Sequence, residues 1–380
     1  MIHGPLYLTP TDLPVTPEET LGRQIRTWRQ EEGLPEVENP GIVLLGLPED
    51  RYYGRGNLAL SPMAIRWQLY HLADLRHNTT FLDAGDLTPG ETLQATYDRL
   101  STIIRTFSSA GWTILILGGG SDLVAGQYLA LEEKQSRAQM VFVNNHLELP
   151  PASSGDSADW NHFLYGNHSG LLHYTHIGHQ AHYTSFKKID LLRNKHYDLI
   201  RLSEARSGIE ETEPFFRDAD AAGISMNALR YADAPASLQP SPNGFSGEEA
   251  CQLSFYAGLS DRIKSFGIYD LDEGTPPGIT TRQAAQIAWY FLEGVSSRLK
   301  EDPARNSGNI KKYIVPMDGK HSELVFYKSM LSDRWWMEIA HARASRGKNK
   351  TLIACSLSDY EKACRLEIPD RWWKWAQVIP

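Results

Sequence analysis

Cysteine is scarce in this sequence. Three cysteines, Cys251, Cys355 and Cys364, occur among 380 residues, and no two of them form a Cys-x-x-Cys pair. A disulfide framework normally uses an even number of cysteines, and a zinc ribbon uses closely spaced pairs. The sequence therefore argues against both and predicts reduced, partly buried thiols.

Long apolar runs and an excess of positive charge are also missing. No segment approaches the roughly 18 consecutive apolar residues of a membrane-spanning helix, and residues 1–5 lack the pattern of a secretory signal. The 38 Lys and Arg residues are outnumbered by 46 Asp and Glu residues, for a net charge of -8. Because nucleic-acid-binding domains are usually basic, we expect no nucleic-acid partner. We also expect no membrane insertion and a cytoplasmic location.

The sequence does contain an alternation of short apolar segments with longer helical patterns. At about 100 to 200 residues per domain, the length allows one large domain with an appendage. The alternation predicts an α/β fold, a three-layer sandwich with a mainly parallel sheet and a ligand crevice at the carboxyl ends of its strands. The predicted strands are 42–46, 113–117, 140–143, 199–202, 222–225 and 265–270, and the predicted helices are 64–70, 92–110, 123–133 and 281–300.

The alternation stops near residue 302, where the polar stretch 304–309 marks a predicted linker. We therefore predict a main domain over residues 1–302 and an extension over 303–380 that packs on it, since about 75 residues alone form a marginal core. The extension is rich in tryptophan and contains the tetrapeptide Asp-Arg-Trp-Trp twice. Its tryptophans either pack against the main domain or form, with arginine, a surface for a protein partner. The partner-binding candidates are Arg334, Trp335, Trp336, Arg371, Trp372 and Trp373.

Polar residues follow two of the predicted strands. Residues 118–122 are Gly-Gly-Gly-Ser-Asp, which lacks the spacing of a phosphate-binding loop or a dinucleotide fingerprint. Ser121 also lacks the Gly-x-Ser-x-Gly context of a hydrolase nucleophile. After the next strand, His146 and Glu148 are two residues apart, so on an extended chain they project to one side and suit metal binding or acid-base chemistry.

The order of these segments resembles that of the ureohydrolase superfamily, which includes arginases, agmatinases and formimidoylglutamases. The resemblance covers roughly residues 40 to 300 and is strongest to arginase-like proteins of the Bacteroidetes type. The superfamily carries Gly-Gly-x-His-x, Asp-Ala-His-x-Asp and Ser-x-Asp-x-Asp after three of its strands. The matching segments here are 118–122, 144–148 and 223–227, with supporting matches at 46–50, 61–66, 83–86 and 233–250.

The resemblance implies a site that holds two divalent metals, typically manganese, by two histidines and four aspartates. The six ligand positions are here Ser121, Asn144, His146, Glu148, Ser225 and Asn227, and Asp270 stands where the superfamily has a substrate-binding glutamate. Neutral Ser and Asn side chains do not offset the repulsion between two dications as carboxylates do. The pattern therefore predicts a degenerate metal site and no cofactor.

Three functions are consistent with this pattern. The first is a pseudoenzyme that has lost hydrolysis, acts as a binding or scaffold protein and keeps a vestigial pocket of Ser121, Asp122, His146 and Asp270. The alternative is a hydrolase of C–N bonds in linear amidines or guanidines, with manganese and a site rebuilt around His146, Glu148 and Asp270. The third is a structural subunit without a ligand. We predict the first, with a protein partner, and we expect a homo-oligomer because the relatives are commonly oligomeric.

A histidine cluster is a further candidate site. Six of the thirteen histidines lie between His162 and His182, and His173, His176, His179 and His182 recur at three-residue spacing. On a helix this spacing would place them near one face, as in a zinc site. The segment is instead rich in aromatic and β-branched residues, which indicates a strand or loop, where three-residue spacing alternates faces. Surface or loop histidines are the preferred interpretation, and a metal site is the alternative.

Overall fold

The structure is a computed structural model that describes residues 7–11, 15–28, 39–76, 79–132, 138–147, 160–166, 171–274, 278–301, 303–304, 308–317, 323–340 and 350–379. The chain divides into two compact units, Met1–Arg298 and Leu299–Pro380. The predicted boundary after residue 302 and the predicted packing of the extension on the main domain stay predictions. Glu148, one of the predicted site residues, lies outside the described residues.

The first unit contains ten strands and ten α-helices among its described residues. The strands are β1 Leu8–Thr9, β2 Ile25–Thr27, β3 Ile42–Gly46, β4 Phe81–Leu87, β5 Thr113–Leu117, β6 Ala138–Val143, β7 Leu171–His179, β8 Asp198–Arg201, β9 Ala221–Ser225 and β10 Ser265–Tyr269. The helices are α1 Leu21–Gln24, α2 Ser61–Tyr70, α3 Leu93–Ser109, α4 Val124–Glu132, α5 Trp160–Tyr165, α6 Phe186–Asn194, α7 Leu202–Ser207, α8 Glu213–Asp218, α9 Gly247–Leu259 and α10 Ile279–Ser296.

These strands form one sheet. Its order is β1-β4-β3-β5-β10-β9-β6-β7-β8, and β2 also pairs with β4. The β1–β4 pair is antiparallel, and the remaining pairs are parallel. Parallel neighbours need crossover connections, which the intervening helices provide. The predicted mainly parallel sheet is confirmed.

Helices cover both faces of this sheet. In β3, Ile42 and Leu44 face a core shared with α2, α9 and α10, whereas Val43 and Leu45 face a second core shared with α3 and α4. Side chains alternate in this way along a strand because its period is two residues. An apolar run without polar alternation is therefore buried on both sides. The predicted three-layer α/β sandwich is confirmed.

Two of the supporting motifs meet in a buried ion pair. Arg66 of α2 is fully buried, and its Nε donates to Asp83 Oδ2 at 2.7 Å while its Nη1 donates to Asp86 Oδ1 at 2.5 Å. Gly85, with a φ of +79°, lies between the two aspartates, where a Cβ atom would come 2.1 Å from the Thr9 carbonyl oxygen. The segments 61–66 and 83–86 therefore join α2 to β4, and their role is structural.

The second unit is an antiparallel sheet with two helices. The sheet has the order β11-β12-β13-β14. The elements are β11 Ile310–Pro316, β12 Glu323–Ser329, β13 Trp335–Ala340, β14 Lys350–Cys355, α11 Leu357–Cys364 and α12 Asp370–Val378. Our sequence analysis predicted no element here. In β11 most side chains are exposed or half-buried, so the hydrophobic alternation that would indicate a strand is weak.

Three of the six partner-binding candidates are buried. Trp335 stacks on Tyr360 with ring centroids 4.4 Å apart, and Trp336 is also buried. Trp372 is buried and its Nε1 donates to a backbone carbonyl of β13 at 3.2 Å. Trp373, by contrast, is 52% exposed, and Arg334 and Arg371 are half-buried. A partner surface stays a prediction, and Trp373 is the tryptophan of this set that is accessible to one.

The three cysteines lie among the described residues and form no disulfide there, with Cys251 and Cys355 buried and Cys364 exposed. Among the described residues, no helix combines the length and the apolar character that a membrane crossing requires.

Candidate functional site

The candidate site lies where four neighbouring strands end. Strands β5, β10, β9 and β6 are adjacent and parallel, so their carboxyl ends meet at one edge of the sheet. The residues that follow or end them are Ser121, Asp270, Ser225 and Asn144, all of which are buried. The fold thus brings together predicted site residues that are as much as 149 positions apart in the sequence.

Asp270 is at the centre of this edge. One carboxylate oxygen accepts a hydrogen bond from the backbone N–H of Ser121 at 2.8 Å. The other accepts from the Ser225 hydroxyl at 2.5 Å and from the Asn227 side-chain amide at 3.2 Å. A φ of +66°, which is unusual for a residue other than glycine, turns the chain at Asp270 after β10. Burial raises the pKa of Asp270 to about 6, although the hydrogen bonds from Ser225 and Ser121 lower it.

A second buried carboxylate, Asp122, follows Ser121 directly. Its Oδ2 accepts a hydrogen bond from the Tyr97 hydroxyl at 2.8 Å. Burial raises the pKa of Asp122 to about 8, and the nearby charge of Asp270 adds to this rise against the hydrogen bond from Tyr97. At neutral pH, Asp122 is therefore mainly protonated and Asp270 is mainly ionised. The two carboxyl groups are suited to different tasks, because their environments separate their pKa values.

Two tyrosines of this cluster, Tyr53 and Tyr97, lie outside the motifs found in the sequence. Tyr53 is half-buried, and its hydroxyl lies 3.1 Å from Ser121 Oγ. Tyr97 belongs to α3, whose apolar periodicity explains its burial without indicating a site. In the sequence, only its position points to Tyr53 as a site residue, because it follows by three residues the segment 46–50 that resembles the superfamily.

His146 lies at the margin of the cluster. It is half-buried, its Nδ1 is 2.6 Å from Asn145 Oδ1, and its ring stacks on Tyr183 at a centroid distance of 4.2 Å. Burial lowers the pKa of His146, and the nearby charge of His182 lowers it further. Among the described contacts, none joins His146 to Asp270. In the structure, the neighbours of His146 are therefore Asn145 and Tyr183.

The histidine segment is strand β7, as one of our two interpretations of its pattern predicted. His173, His176 and His179 are buried, which corrects the expectation that they lie in a loop or at the surface, whereas His182 follows the strand and is exposed, as expected. The described residues include no group of three or more His, Cys, Asp or Glu side chains that could hold a metal ion. The His162 side chain and His168 lie outside the described residues. The neighbours of the strand histidines are Asp198 for His173, the Asn144 carbonyl for His176 and the Ile200 carbonyl for His179.

The part of the chain that builds this edge of the sheet matches a known family. The model of the Arginase family matches residues 40–293, which is more than half of the chain. The chain belongs to the Arginase family. The resemblance to the ureohydrolase superfamily that the motif order indicated is confirmed.

Individual members of the Arginase family resemble the chain over most of their length. A formimidoylglutamase from Staphylococcus haemolyticus is 23% identical over 283 residues, 68% of this chain and 89% of that protein. The structure of Trypanosoma cruzi formiminoglutamase with Mn2+ has a TM-score of 0.63 and 22% identity, and the alignment covers 70% of this chain and 97% of that one. Formimidoylglutamase from Bacillus subtilis has a TM-score of 0.62 and 16% identity, covering 77% and 98%.

These comparisons correct two of our expectations. The prediction of no cofactor is wrong, because the similar Trypanosoma cruzi structure contains Mn2+, and manganese was the alternative. The prediction of a pseudoenzyme finds no support, since the relatives named above are formimidoylglutamases, and the alternative of an arginase-like hydrolase agrees better with them. No comparison addresses the degenerate site, the protein partner or the oligomeric state of this chain.

The described residues do not fit a centre of two manganese ions. Asn144 Oδ1 accepts a hydrogen bond from the Asn145 N–H at 2.8 Å, and Asn227 Oδ1 accepts from the Gln239 N–H at 2.6 Å. The carboxylate of Asp270 accepts three hydrogen bonds from the protein. Manganese is bound mainly by carboxylate, carbonyl and imidazole groups, but these oxygens are directed at protein donors.

Proposed function

We propose that this member of the Arginase family is a hydrolase that breaks a C–N bond in a linear amidine or guanidine. Membership of the family and the formimidoylglutamases among its relatives support the reaction class. The observation that carries the proposal is the fully buried carboxylate of Asp270 at the junction of four strand ends, with donors from Ser121, Ser225 and Asn227.

Asp270 has the charge that such a substrate needs. Amidines and guanidines are cations at neutral pH, and an ionised carboxylate attracts them more strongly where water is excluded. A carboxylate whose pKa is raised toward neutrality is also suited to accept a proton from an attacking water molecule. Asp270 therefore binds the cationic carbon centre and acts as the general base.

Asp122 complements this role. Hydrolysis adds the hydroxyl of water to the central carbon, breaks the C–N bond and releases the nitrogen with an added proton. Asp122, whose pKa of about 8 keeps it mainly protonated at neutral pH, donates that proton. The proton that Asp270 takes from water balances the one that Asp122 gives away.

Entry of a substrate requires a side chain to move. Asp270 is 0% exposed and Asp122 is 1% exposed. Tyr53 is the half-buried member of the cluster, and its hydroxyl lies 3.1 Å from Ser121 Oγ, so we propose that it is the side chain that moves.

The test is an assay of the full chain against formimidoylglutamate, agmatine and arginine, with and without added Mn2+, by release of ammonia, formamide or urea. We expect at least one of these compounds to be cleaved. Asp270→Asn should lower kcat by at least about 100-fold, the usual contribution of a general base. Asp190→Asn, which changes an exposed carboxylate of α6, is the matched control and should leave kcat unchanged.

Two results would contradict this proposal. If none of the three compounds is cleaved under either metal condition, the chain is not a hydrolase of this class. If Asp270→Asn keeps the wild-type kcat and the wild-type melting temperature, Asp270 is not the base.

A further inference from the structure

The two units of the chain carry opposite charge. Residues 1–298 contain 23 Lys and Arg against 36 Asp and Glu, whereas residues 299–380 contain 15 against 10. The net charge of -8 is therefore the sum of an acidic first unit, at -13, and a basic second unit, at +5. Because salt at 0.1 M screens charges beyond about 10 Å, the charge near a surface decides which partner that surface attracts. The second unit is thus suited to an anionic partner, although the whole chain is acidic.

The second unit also exposes many large apolar side chains. In the part of the chain that the structure describes, 19 such residues are exposed, and eight belong to this shorter unit. Three of the eight, Met330, Leu331 and Leu357, are 60%, 57% and 51% exposed. Met330 and Leu331 lie in the turn from β12 to β13, and the pairing of Trp335 with Cys355 places the start of α11 at the same end of the sheet. We call Met330, Leu331 and Leu357 the apolar tip.

Basic side chains flank the apolar tip. Lys311 of β11 and Lys328 of β12 are direct cross-strand partners, and Arg334 immediately precedes β13. Like charges directly opposite each other destabilise a sheet, and a bound anion would relieve that repulsion. Lys328 pairs with Asp333 at 2.5 Å, but no described carboxylate lies within salt-bridge distance of Lys311. Lys311 is therefore available to an anion.

Buried hydrogen bonds hold the turn of the apolar tip in place. The Ser329 hydroxyl accepts from the backbone N–H groups of Leu331 and Ser332 at 3.0 and 3.3 Å. The hydroxyls of both serines donate to the buried carboxylate of Glu301. The backbone of the turn is thus fixed while its apolar side chains are in water, which lowers the conformational entropy lost when a partner binds.

We propose that the apolar tip binds the surface of an anionic lipid membrane, with Lys311 and Lys328 at the headgroups. An apolar surface bordered by Lys and Arg is typical of segments that bind at the membrane interface, where the apolar face enters to about 5–10 Å. A contiguous group of exposed apolar side chains indicates a binding surface, and the local positive charge selects anionic headgroups. This inference is independent of the proposed hydrolysis.

Two other occupants fit the apolar tip less well. Lysine is depleted at protein–protein interfaces, which disfavours a second copy of the chain. Single-stranded nucleic acids bind by stacking bases on accessible aromatic rings. The aromatic ring under Lys328 is that of Trp335, which is 5% exposed and already stacks on Tyr360. The exposed side chains of the tip are Met and Leu, which suit acyl chains.

Vesicle flotation with the full chain tests this assignment. The probes are vesicles of phosphatidylcholine alone and vesicles that also contain about 30% phosphatidylserine. We expect at least about tenfold tighter binding to the second kind, since each basic residue near an anionic surface contributes about fivefold in affinity. Raising the NaCl concentration from about 0.05 M to about 0.5 M should weaken that binding by at least about tenfold.

Matched variants connect the binding to the apolar tip. Met330→Ser combined with Leu331→Ser should weaken binding to anionic vesicles by at least about tenfold, because two exposed apolar side chains are lost. Met330→Leu keeps the apolar surface and should bind like the wild type. Phe186→Ser combined with Leu191→Ser changes two exposed apolar residues of α6 and, as the control, should have no effect.

A second comparison tests the charge. Lys311→Gln should weaken binding to anionic vesicles about fivefold, whereas Lys187→Gln, at an exposed position of α6, should leave it unchanged. All the substituted positions are exposed, so we expect every variant to fold and to keep a melting temperature close to that of the wild type.

Four results would overturn the assignment to a lipid surface. The first is no binding at about 1 mM anionic lipid, and the second is equal weakening by the double variant of the tip and its α6 control. The third is tighter Lys311-dependent binding to a single-stranded oligonucleotide than to vesicles, which would identify nucleic acid as the occupant. The fourth is a smaller assembly of the tip double variant in sedimentation velocity, which would identify a second copy of the chain.

Discussion

The backbone N–H of Ser121 donates a hydrogen bond to the carboxylate of Asp270 at 2.8 Å. This contact joins the ends of adjacent strands β5 and β10, and the same carboxylate accepts from Ser225 and Asn227 on β9 and the turn after it. By the resemblance to the ureohydrolases, the three donor residues stand at metal-ligand positions. In this chain they donate hydrogen bonds to the buried carboxylate of Asp270.

Asn227→Asp tests this arrangement directly. The substitution replaces a donor 3.2 Å from Asp270 with a second carboxylate, so the free energy of unfolding at neutral pH should fall by about 1–3 kcal/mol. Added Mn2+ should raise the melting temperature of the variant more than that of the wild type, because an extra anionic oxygen favours a dication. Asn194→Asp, at an exposed position of α6, is the control. Equal stability of both variants in urea would argue against the arrangement.

The buried ion pair of Arg66 makes a prediction about stability. Arg66→Met leaves Asp83 and Asp86 without their guanidinium partner, and breaking a buried pair in this way costs about 3–5 kcal/mol. Arg76→Met changes an exposed arginine and should alter stability by about 0.5 kcal/mol or less. Chemical denaturation measures both variants. A loss below about 1 kcal/mol for Arg66→Met would contradict the structural role of the two motifs.

Glu49 makes a prediction about pH. Burial alone would raise its pKa, but hydrogen bonds and charge from Arg51, with a hydrogen bond from Thr96, outweigh burial and lower the pKa below 4.5. In the acid range the unfolded chain therefore binds a proton more readily than the folded chain, and stability falls as the pH decreases.

Urea denaturation at a series of pH values checks this effect. Relative to Glu49→Gln, the wild type should lose stability as the pH falls below about 5, by at most about 1.4 kcal/mol per pH unit. Glu204→Gln, at an exposed position of α7, should follow the wild-type curve. Parallel curves for wild type and Glu49→Gln would show that the pKa of Glu49 is not lowered.

Two adjacent tryptophans should respond differently to truncation. Trp372 is 7% exposed and donates a hydrogen bond to the Glu338 carbonyl, so Trp372→Ala should cost about 3–5 kcal/mol. Trp373 is 52% exposed, and Trp373→Ala should change stability by about 0.5 kcal/mol or less. Thermal and chemical denaturation compare the two. A large loss for Trp373→Ala would place it in the core and remove it as a candidate for partner binding.

Much of the fold was predictable from local patterns, and the exceptions have physical reasons. The apolar runs of β3 and β5 predict their bounds, because strands buried on both faces lack polar alternation. The apolar pattern does not predict strand β4, because Asp83 and Asp86 interrupt it. Their charges are compensated by Arg66, which lies on a different element. The antiparallel sheet of the second unit is missed because β11 is exposed along most of its length.

The sequence by itself determined the order of the strand-end motifs, and with it the family and the residues at the edge of the sheet. By the resemblance, it also indicated that Ser and Asn stand at four of the superfamily's six metal-ligand positions. Only the tertiary structure decided what these residues do. Their hydrogen bonds to Asp270 span up to 149 positions and depend on strand order and on the left-handed backbone of that residue. His179 and Arg201 are likewise brought together only by the fold, because they lie on the separate strands β7 and β8, whose pairing places them opposite each other.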